Sequence, residues 1–493
     1  MDIEEFRKAG YDAIDRICEY YYSLREYPVV PQVQPGFLKK ALPNTAPGAG
    51  EPWSNIVDDY TKLILPGLLH FQHPLNFSYF PIQSTFAGTL GDLLAGSAPT
   101  PSLSWFVGPA STELENVVMD WAAKMLGLDR VFHVESNIGG GVIQTSASES
   151  MLVSVVAART RYLLAHPMTP IESLLIYVTS QTHSCGRKAG LVLGLNVRVL
   201  DVDEPTRVGG GLDAETLRVA LDEDHAAGLA PFVLITTVGT TTSGAVDNVA
   251  DVGALLKTSY PDVWMHVDAA WAGVVLACPE YRERAQLAGI NAYADSFCTN
   301  FHKWGLVNFE CSALWVRDRQ RLIEALEYTP PYLRTKQGDA GDTVEYRNWH
   351  LGLCRRFRSL KMWFVLRSYG LNGFQGYIRN CIAMNHMFAK QVCATPSFEL
   401  VSPPSFALTV FRIVPRAGAP NGTANKLNRV FYDALLARSS EVLLTQTELG
   451  GVFCVRFCVG SSRTTPADVE DAWNIVCEVG ETVRARFGKG LPN

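Results

Sequence analysis

The 493-residue sequence predicts an α/β fold: a mostly parallel sheet with helices on both faces, a helical N-terminal segment and a smaller C-terminal α+β domain. Three observations carry that reading. From about residue 86 to residue 360, apolar strand-like runs at 173–179, 197–202, 232–237, 263–267, 294–298 and 312–316 alternate with helix-like stretches such as 149–164 and 249–259. Ahead of this block lies an amphipathic stretch followed by closely spaced prolines. Beyond about residue 361 the order changes to a helix, strand-like runs at 398–401, 407–414 and 452–459, and a closing helix from Pro466. The expected domains are 1–85, 86–360 and 361–493.

In chain order, Phe6, Ala9, Ala13, Ile14, Ile17 and Tyr21 recur at spacings of three and four, with Glu4, Arg7, Asp12, Asp15 and Glu19 between them. That is one helix with one apolar stripe. Pro28, Pro31, Pro35, Pro43, Pro47 and Pro52 then break any regular element. A helix and an extended strap have no core of their own, so this segment is expected to clasp another surface, a second subunit. The central alternation of strands and helices defines the sheet, and in such sheets ligands bind at the carboxyl ends of the strands.

Hydrophobic residues make up 47% of the chain and charged residues 19%, which excludes disorder. The net charge is −6, and Lys and Arg cluster only at Arg355-Arg356-Phe357-Arg358, so no nucleic acid or anionic membrane partner is expected. No apolar run approaches the ~18–20 residues of a spanning helix. The acidic start, Met1-Asp2-Ile3-Glu4-Glu5-Phe6, is unlike a signal peptide. Eleven cysteines are scattered, and only Cys454 and Cys458 lie close together. None has zinc spacing, so no metal is expected, and the thiols read as reduced, in a cytoplasmic-type compartment.

Two residues carry chemistry. Lys303 stands in Asn300-Phe301-His302-Lys303-Trp304, just after the run at 294–298. Asp268 ends the run at 263–267, in His266-Val267-Asp268-Ala269-Ala270-Trp271. A lysine that condenses with an aldehyde and an aspartate that keeps a ring nitrogen protonated are the two protein ends that pyridoxal phosphate requires. Gly139-Gly140-Gly141 precedes Ser146-Ala147-Ser148 at a helix start, a combination of flexible backbone, hydroxyls and free N–H groups that suits a phosphate. His183 follows the run at 173–179, where an imidazole could stack on a pyridine ring or meet a substrate carboxylate. Thr240-Thr241-Thr242 follows another strand and could place one hydroxyl near a phenolic oxygen, or simply form a turn.

With Gly139 to Ser148, Thr182-His183-Ser184, Gly239 to Thr242, His266 to Gly273, His302-Lys303-Trp304 and Arg355 to Lys361 in this order, the chain resembles the group II pyridoxal-phosphate decarboxylases, in particular the aromatic L-amino-acid decarboxylases. The resemblance runs from the N-terminal helix to Val459-Gly460-Ser461-Ser462. It implies fold-type I with a seven-stranded sheet, and a homodimer with the active site at the subunit interface. It also implies Lys303 as the cofactor-bearing residue, Asp268 at the pyridinium nitrogen, Ala270 beneath the ring, His183 above it and Thr241 near the phenolic oxygen. Ala147, Ser148, Asn300 and His302 would hold the phosphate. The polar segment 327–339, with Pro330-Pro331 before Tyr332 and Gly338 after it, reads as a mobile lid. The resemblance makes Tyr332 the donor that protonates the α-carbon after CO2 loss. Phe71, Tyr79, Phe80, Pro81, Ile82, Leu103, His183 and Cys354 would line the substrate pocket, an apolar wall suited to an aromatic side chain.

The expected reaction is therefore decarboxylation of an aromatic L-amino acid of the tryptophan, tyrosine, phenylalanine or DOPA class to its amine. Aldehyde synthases on the same scaffold replace the lid tyrosine or the stacking histidine; this chain keeps both. An aminotransferase would need an arginine for the substrate carboxylate in the small domain, and no motif chooses among Arg412, Arg416, Arg429 and Arg456. A silent interaction protein would not need Lys303 and Asp268, and a glutamate decarboxylase would pair Phe71, Ile82 and Leu103 poorly with a carboxylate.

Overall fold

The structure, a computed structural model, describes residues 1–202, 210–420 and 422–487. The central sheet has seven strands: β1 (Gly140–Gln144), β2 (Leu174–Thr179), β3 (Asn196–Leu200), β4 (Ala230–Thr237), β5 (Trp264–Asp268), β6 (Ser296–Asn300) and β7 (Ser312–Val316). Their order is β1-β7-β6-β5-β4-β2-β3. Strands β2 to β6 are mutually parallel, while β7 runs antiparallel to both β6 and β1. Every residue of β2, β4, β5 and β6 is buried, which is why these strands appear in the sequence as unbroken apolar runs rather than alternating ones.

Strand β1 corrects the glycine reading. Gly139, Gly140 and Gly141 do not form a loop that opens toward a ligand; the last two begin a buried strand. A Cβ on Gly141 would lie 2.5 Å from the Met119 side chain and 2.6 Å from Trp315 Nε1, and one on Gly139 would lie 2.2 Å from the Val131 carbonyl. These glycines let β1 pack against its own protein neighbours. The phosphate-like cradle begins only after the strand, where Ser146 caps the helix Ala147–Ala165 and its hydroxyl accepts the Glu149 N–H.

The second sheet is antiparallel, β10-β11-β9-β8, from β8 (Phe398–Leu400), β9 (Leu408–Ile413), β10 (Thr445–Leu449) and β11 (Val452–Cys458). Strand β10 gives no apolar run in the sequence, because Thr-Gln-Thr-Glu-Leu is polar and half exposed. Its signal is the two-residue loop Gly450-Gly451, both with positive φ, which closes a hairpin onto Val452. The helix Pro466–Phe487 closes the chain as expected.

The N-terminal helix spans Ile3–Tyr22 and buries only Ala9. The strap after it is not wholly extended: short helices Phe37–Ala41 and Trp53–Asp59 form between the prolines, the second starting directly after Pro52, where a missing N–H costs nothing. The helix Phe86–Ser97 lies against the long helix Arg358–Ala394, so closely that a Cβ on Gly91 would stand 2.6 Å from Lys361 Cα. The long helix bends at Gly370, whose φ is +58°. Of the basic cluster, Arg355 is buried. Its two terminal nitrogens hold both oxygens of Glu115 at 2.8 and 2.6 Å, and one also donates to the Ile143 carbonyl at 2.9 Å, fastening β1 to the segment that follows the lid. Among the described residues, no helix is long and apolar enough to cross a membrane, and no group of His, Cys, Asp and Glu could hold a metal ion.

Candidate active site

Parallel strands bring their carboxyl ends to one edge, and there the chain forms a cavity of about 220 Å³. Its wall comes from the segments following five strands: Ser146, Ala147 and Ser148 after β1; His183 and Cys185 after β2; Thr237, Gly239 and Thr241 at and after β4; Asp268, Ala270 and Trp271 at and after β5; Asn300, His302 and Lys303 at and after β6. Phe80 arrives from the N-terminal segment. All nine residues expected at the cofactor (Ala147, Ser148, His183, Thr241, Asp268, Ala270, Asn300, His302 and Lys303) meet here.

Lys303 lies in the short helix Phe301–Trp304. Burial pushes its amine below the usual lysine range, and the nearby Asp268 carboxylate opposes that shift. An amine lowered in this way is more often neutral and so more nucleophilic. Its backbone is held by Gln83, whose amide donates to the Lys303 carbonyl at 2.9 Å and to the Gly460 carbonyl at 2.7 Å.

Asp268 ends β5, and its Oδ1 accepts the Ala270 N–H at 2.9 Å. His302 is buried, and its Nδ1 accepts the Cys311 N–H at 2.8 Å, so its ring proton sits on Nε2. Burial pushes its imidazole down to about 3. His183 is fixed in the same way: its Nδ1 accepts the Cys185 N–H at 3.2 Å, and burial lowers its imidazole below the usual range, which leaves a neutral ring with Nε2–H. Gly239, with φ +84°, turns the chain out of β4 so tightly that a Cβ would meet the Ala272 Cβ at 2.5 Å. Thr240 Oγ1 donates to Gln181 Oε1 at 2.9 Å, bracing the loop that carries Thr241.

Three polar atoms of wall residues, Thr237 Oγ1, Trp271 Nε1 and Asn300 Oδ1, are buried without a partner. A buried polar atom without a partner is costly, so a polar ligand suits this place. A helix N-terminus with Ser146 and Ser148, a neutral His302 that donates from Nε2, a lysine amine and an aspartate together form the donor set for a phosphorylated pyridine aldehyde. The residues present fit the group.

Of the residues expected around the substrate, Phe80 and His183 line this cavity; Phe71, Tyr79, Pro81, Ile82, Leu103 and Cys354 lie outside its lining in the single chain. Tyr332 lies on the turn Pro331–Leu333, 79% exposed and likewise outside it.

Four residues near the site were not singled out by sequence: Gln83, Cys185, Trp271 and Arg456. Arg456, in β11, is buried, and its guanidinium sits 4.8 Å from the Phe80 ring centre, while Lys303 Nζ lies 5.1 Å from that same ring. Its Nε has no partner. Of Arg412, Arg416, Arg429 and Arg456, Arg456 is the buried one that packs on Phe80, and it does not line the cavity.

Fold and site together define an enzyme of the fold-type I pyridoxal-phosphate class. The model of the pyridoxal-dependent decarboxylase conserved domain matches residues 35–414. Tryptophan decarboxylase 2 of Oryza sativa subsp. japonica is 41% identical over 479 residues, 97% of this chain and 94% of that one. Phenylacetaldehyde synthase of Arabidopsis thaliana is 42% identical over 481 residues, 97% and 96% of the two chains. The crystal structure of Oryza sativa TDC with PLP and tryptamine superposes with a TM-score of 0.93 at 35% identity, covering 98% of this chain and 99% of that chain. The chain belongs to the pyridoxal-dependent decarboxylase family, and its cofactor is pyridoxal phosphate.

Proposed function

We propose that the chain removes the carboxylate of an aromatic L-amino acid as CO2 and returns a proton to the α-carbon, releasing an arylalkylamine. The observation that carries this reading is the convergence of Lys303, Asp268 and Arg456 around Phe80: an amine, a carboxylate and a buried guanidinium that donates to the Tyr79 carbonyl at 3.3 Å and keeps its Nε free, beside an aromatic wall.

Ser146, Ala147, Ser148, Asn300 and His302 would hold the phosphate, Thr241 the phenolic oxygen, and Ala270 and His183 the two faces of the ring. When bound, pyridoxal phosphate supplies an electron sink conjugated to the substrate's α-carbon. Asp268 keeps a proton on the ring nitrogen. Lys303, whose amine burial shifts toward the neutral form, would be the nucleophile that holds the cofactor's aldehyde carbon. Arg456 seats the substrate carboxylate at the small-domain side of Phe80 by charge-assisted hydrogen bonds. Phe80, and in the assembled enzyme Phe71, Tyr79, Pro81, Ile82, Leu103 and Cys354, exclude water and pack the aromatic side chain. Tyr332 delivers the proton to the α-carbon.

The working unit in this reading is a homodimer. An exposed Tyr332, together with Phe86, Leu90, Leu93 and Leu94 exposed on one helix, supports a partner subunit that covers this face and receives the lid. The segment 1–85 would clasp that partner, 86–360 carry the cofactor, and 361–493 supply Arg456. Eleven free thiols support a reducing, cytoplasmic setting.

Incubation of the purified protein with tryptophan, tyrosine, phenylalanine and DOPA tests the reaction. The expected product is the amine with one CO2; an aldehyde accompanied by ammonia and peroxide would make the chain an aldehyde synthase.

A further inference from the structure

Behind Asp268 runs a line of buried polar groups that the reaction as described leaves unused. It follows from the sheet. Strands β5 and β6 are parallel, with His266 opposite Ser296 and Asp268 opposite Cys298. Side chains two residues apart on a strand share a face, so Trp264, His266 and Asp268 on β5 alternate with Ser296 and Cys298 on β6 along one buried row. The row is bonded throughout. Trp264 Nε1–H donates to Ser296 Oγ at 2.8 Å. Ser296 Oγ lies 2.7 Å from His266 Nδ1. His266 Nε2 lies 3.7 Å from Cys298 Sγ, and the Cys298 thiol donates to Asp268 Oδ1 at 3.8 Å.

The directions of these bonds are determined by the two ends. A carboxylate only accepts, so the Cys298 thiol hydrogen goes to Asp268 and its sulfur accepts from His266; an indole nitrogen only donates, so Ser296 Oγ accepts from Trp264 and its own hydrogen goes to His266 Nδ1. The ring proton of His266 is then on Nε2, facing sulfur, and the thiol hydrogen is left for Asp268. The protonation states agree: burial pushes the His266 imidazole down to about 4, leaving it neutral, and holds the Cys298 thiol well above its usual range, leaving it an S–H donor. Among the described residues, both donors to the Asp268 side chain, Ala270 N–H and Cys298 S–H, reach Oδ1. That leaves Oδ2 for the cavity.

We propose that Cys298 and His266 are positioning residues, the last links of a one-way hydrogen-bond row that fixes the Asp268 carboxylate with Oδ2 presented to the cofactor's ring nitrogen. The inference rests on the assignment of Asp268 to that nitrogen. Neither residue touches the reacting atoms. Each acts through the carboxylate, as outer partners of a ligand commonly do.

The test uses the full chain, stripped of cofactor and reconstituted with pyridoxal phosphate, with two readouts besides turnover: the cofactor's dissociation constant and the absorption spectrum of the bound form. Cys298→Ala removes the donor, and the expected result is about tenfold weaker cofactor binding with a displaced visible band. Cys298→Ser, which restores an O–H, is expected to return both readouts to near the parent's. Ser296→Ala breaks the row two links upstream without touching Asp268 or Cys298, and is expected to move both in the same direction by a smaller factor. Asp268→Asn separates the layers of the argument. If it abolishes the parent spectrum and Cys298→Ala and Ser296→Ala bind and absorb as the parent does, the row has no role and the proposal is overturned. If Asp268→Asn itself binds and absorbs as the parent, the assignment of Asp268 fails, and the row falls with it.

Discussion

In the proposed reaction Arg456 and Tyr332 have separate parts, and neither lines the cavity of the single chain: Arg456 is buried against Phe80, and Tyr332 is exposed on its turn. Arg456 is a buried guanidinium whose Nε has no partner, and burial pushes it below the usual arginine range. A cation kept there without a carboxylate is costly unless a ligand supplies the anion. Arg456→Gln should therefore lower kcat/KM for an aromatic amino acid by about 2–3 kcal/mol, roughly 30- to 150-fold, with little change in the binding of the product amine, which has no carboxylate. Equal losses for substrate and product affinity would show that Arg456 only supports Phe80. Tyr332→Phe removes one oxygen from an exposed turn, so stability should stay within about 0.5 kcal/mol of the parent. The product should shift from amine toward aldehyde, measurable as ammonia and peroxide. Amine alone at the parental rate would assign the proton to His183 or to water. Lys303 and Asp268 were legible in the sequence because each closes an apolar run. Gln83 and Arg456 were not, since they reach the site from residues more than a hundred positions away, and no local pattern records that approach.

The elements that the sequence displays best are those buried on both faces. Strands β2, β4, β5, β6 and β7 appear as apolar runs because no residue in them meets water. Strand β1 is buried too, but its glycines pack against Trp315 and Met119 and so imitate a loop. Strand β10 is a polar edge strand, and only its Gly-Gly turn betrays it. One element junction has a measurable pH signature. Asp247 follows β4, and its carboxylate accepts the backbone N–H groups of Leu212 at 2.7 Å and of Thr237 at 2.6 Å. Burial pushes it up to about 6, against an ordinary 3.8. A carboxyl raised on folding favours the folded state most when protonated. Its contribution is full below about pH 4 and is lost as pH rises to about 6. Asp247→Asn cannot ionise, so the stability of the parent relative to this variant should fall between pH 4 and pH 6 and level off above. Parallel denaturation curves across that window would mean that Asp247 does not titrate there.

At the scale of the whole molecule, the single chain leaves unfinished surface. The helix Phe86–Ser97 exposes Phe86, Leu90, Leu93 and Leu94, and the N-terminal helix exposes Ile3, Phe6 and Tyr11. Such apolar faces signal association. The sequence predicts a segment that clasps a second subunit; the apolar residues that would form such a contact can be named only once the helices are in place. Leu93→Arg would put a charge at the centre of that face. Light scattering should show the mass falling from two chains to one, and activity should fall with it, because Tyr332 would no longer reach a second cavity. A monomeric variant with full activity would place Tyr332 in its own chain's site.

The central claim is that the cavity at the carboxyl ends of β4, β5 and β6 is where pyridoxal phosphate is held, through Lys303. Borohydride reduction of the reconstituted protein, followed by digestion and mass spectrometry, tests it most directly. The account predicts one pyridoxyl phosphate group per chain, on the peptide that contains Lys303, and neither label nor steady-state turnover in Lys303→Ala. A label on another lysine in the parent, or full turnover in Lys303→Ala, would contradict it.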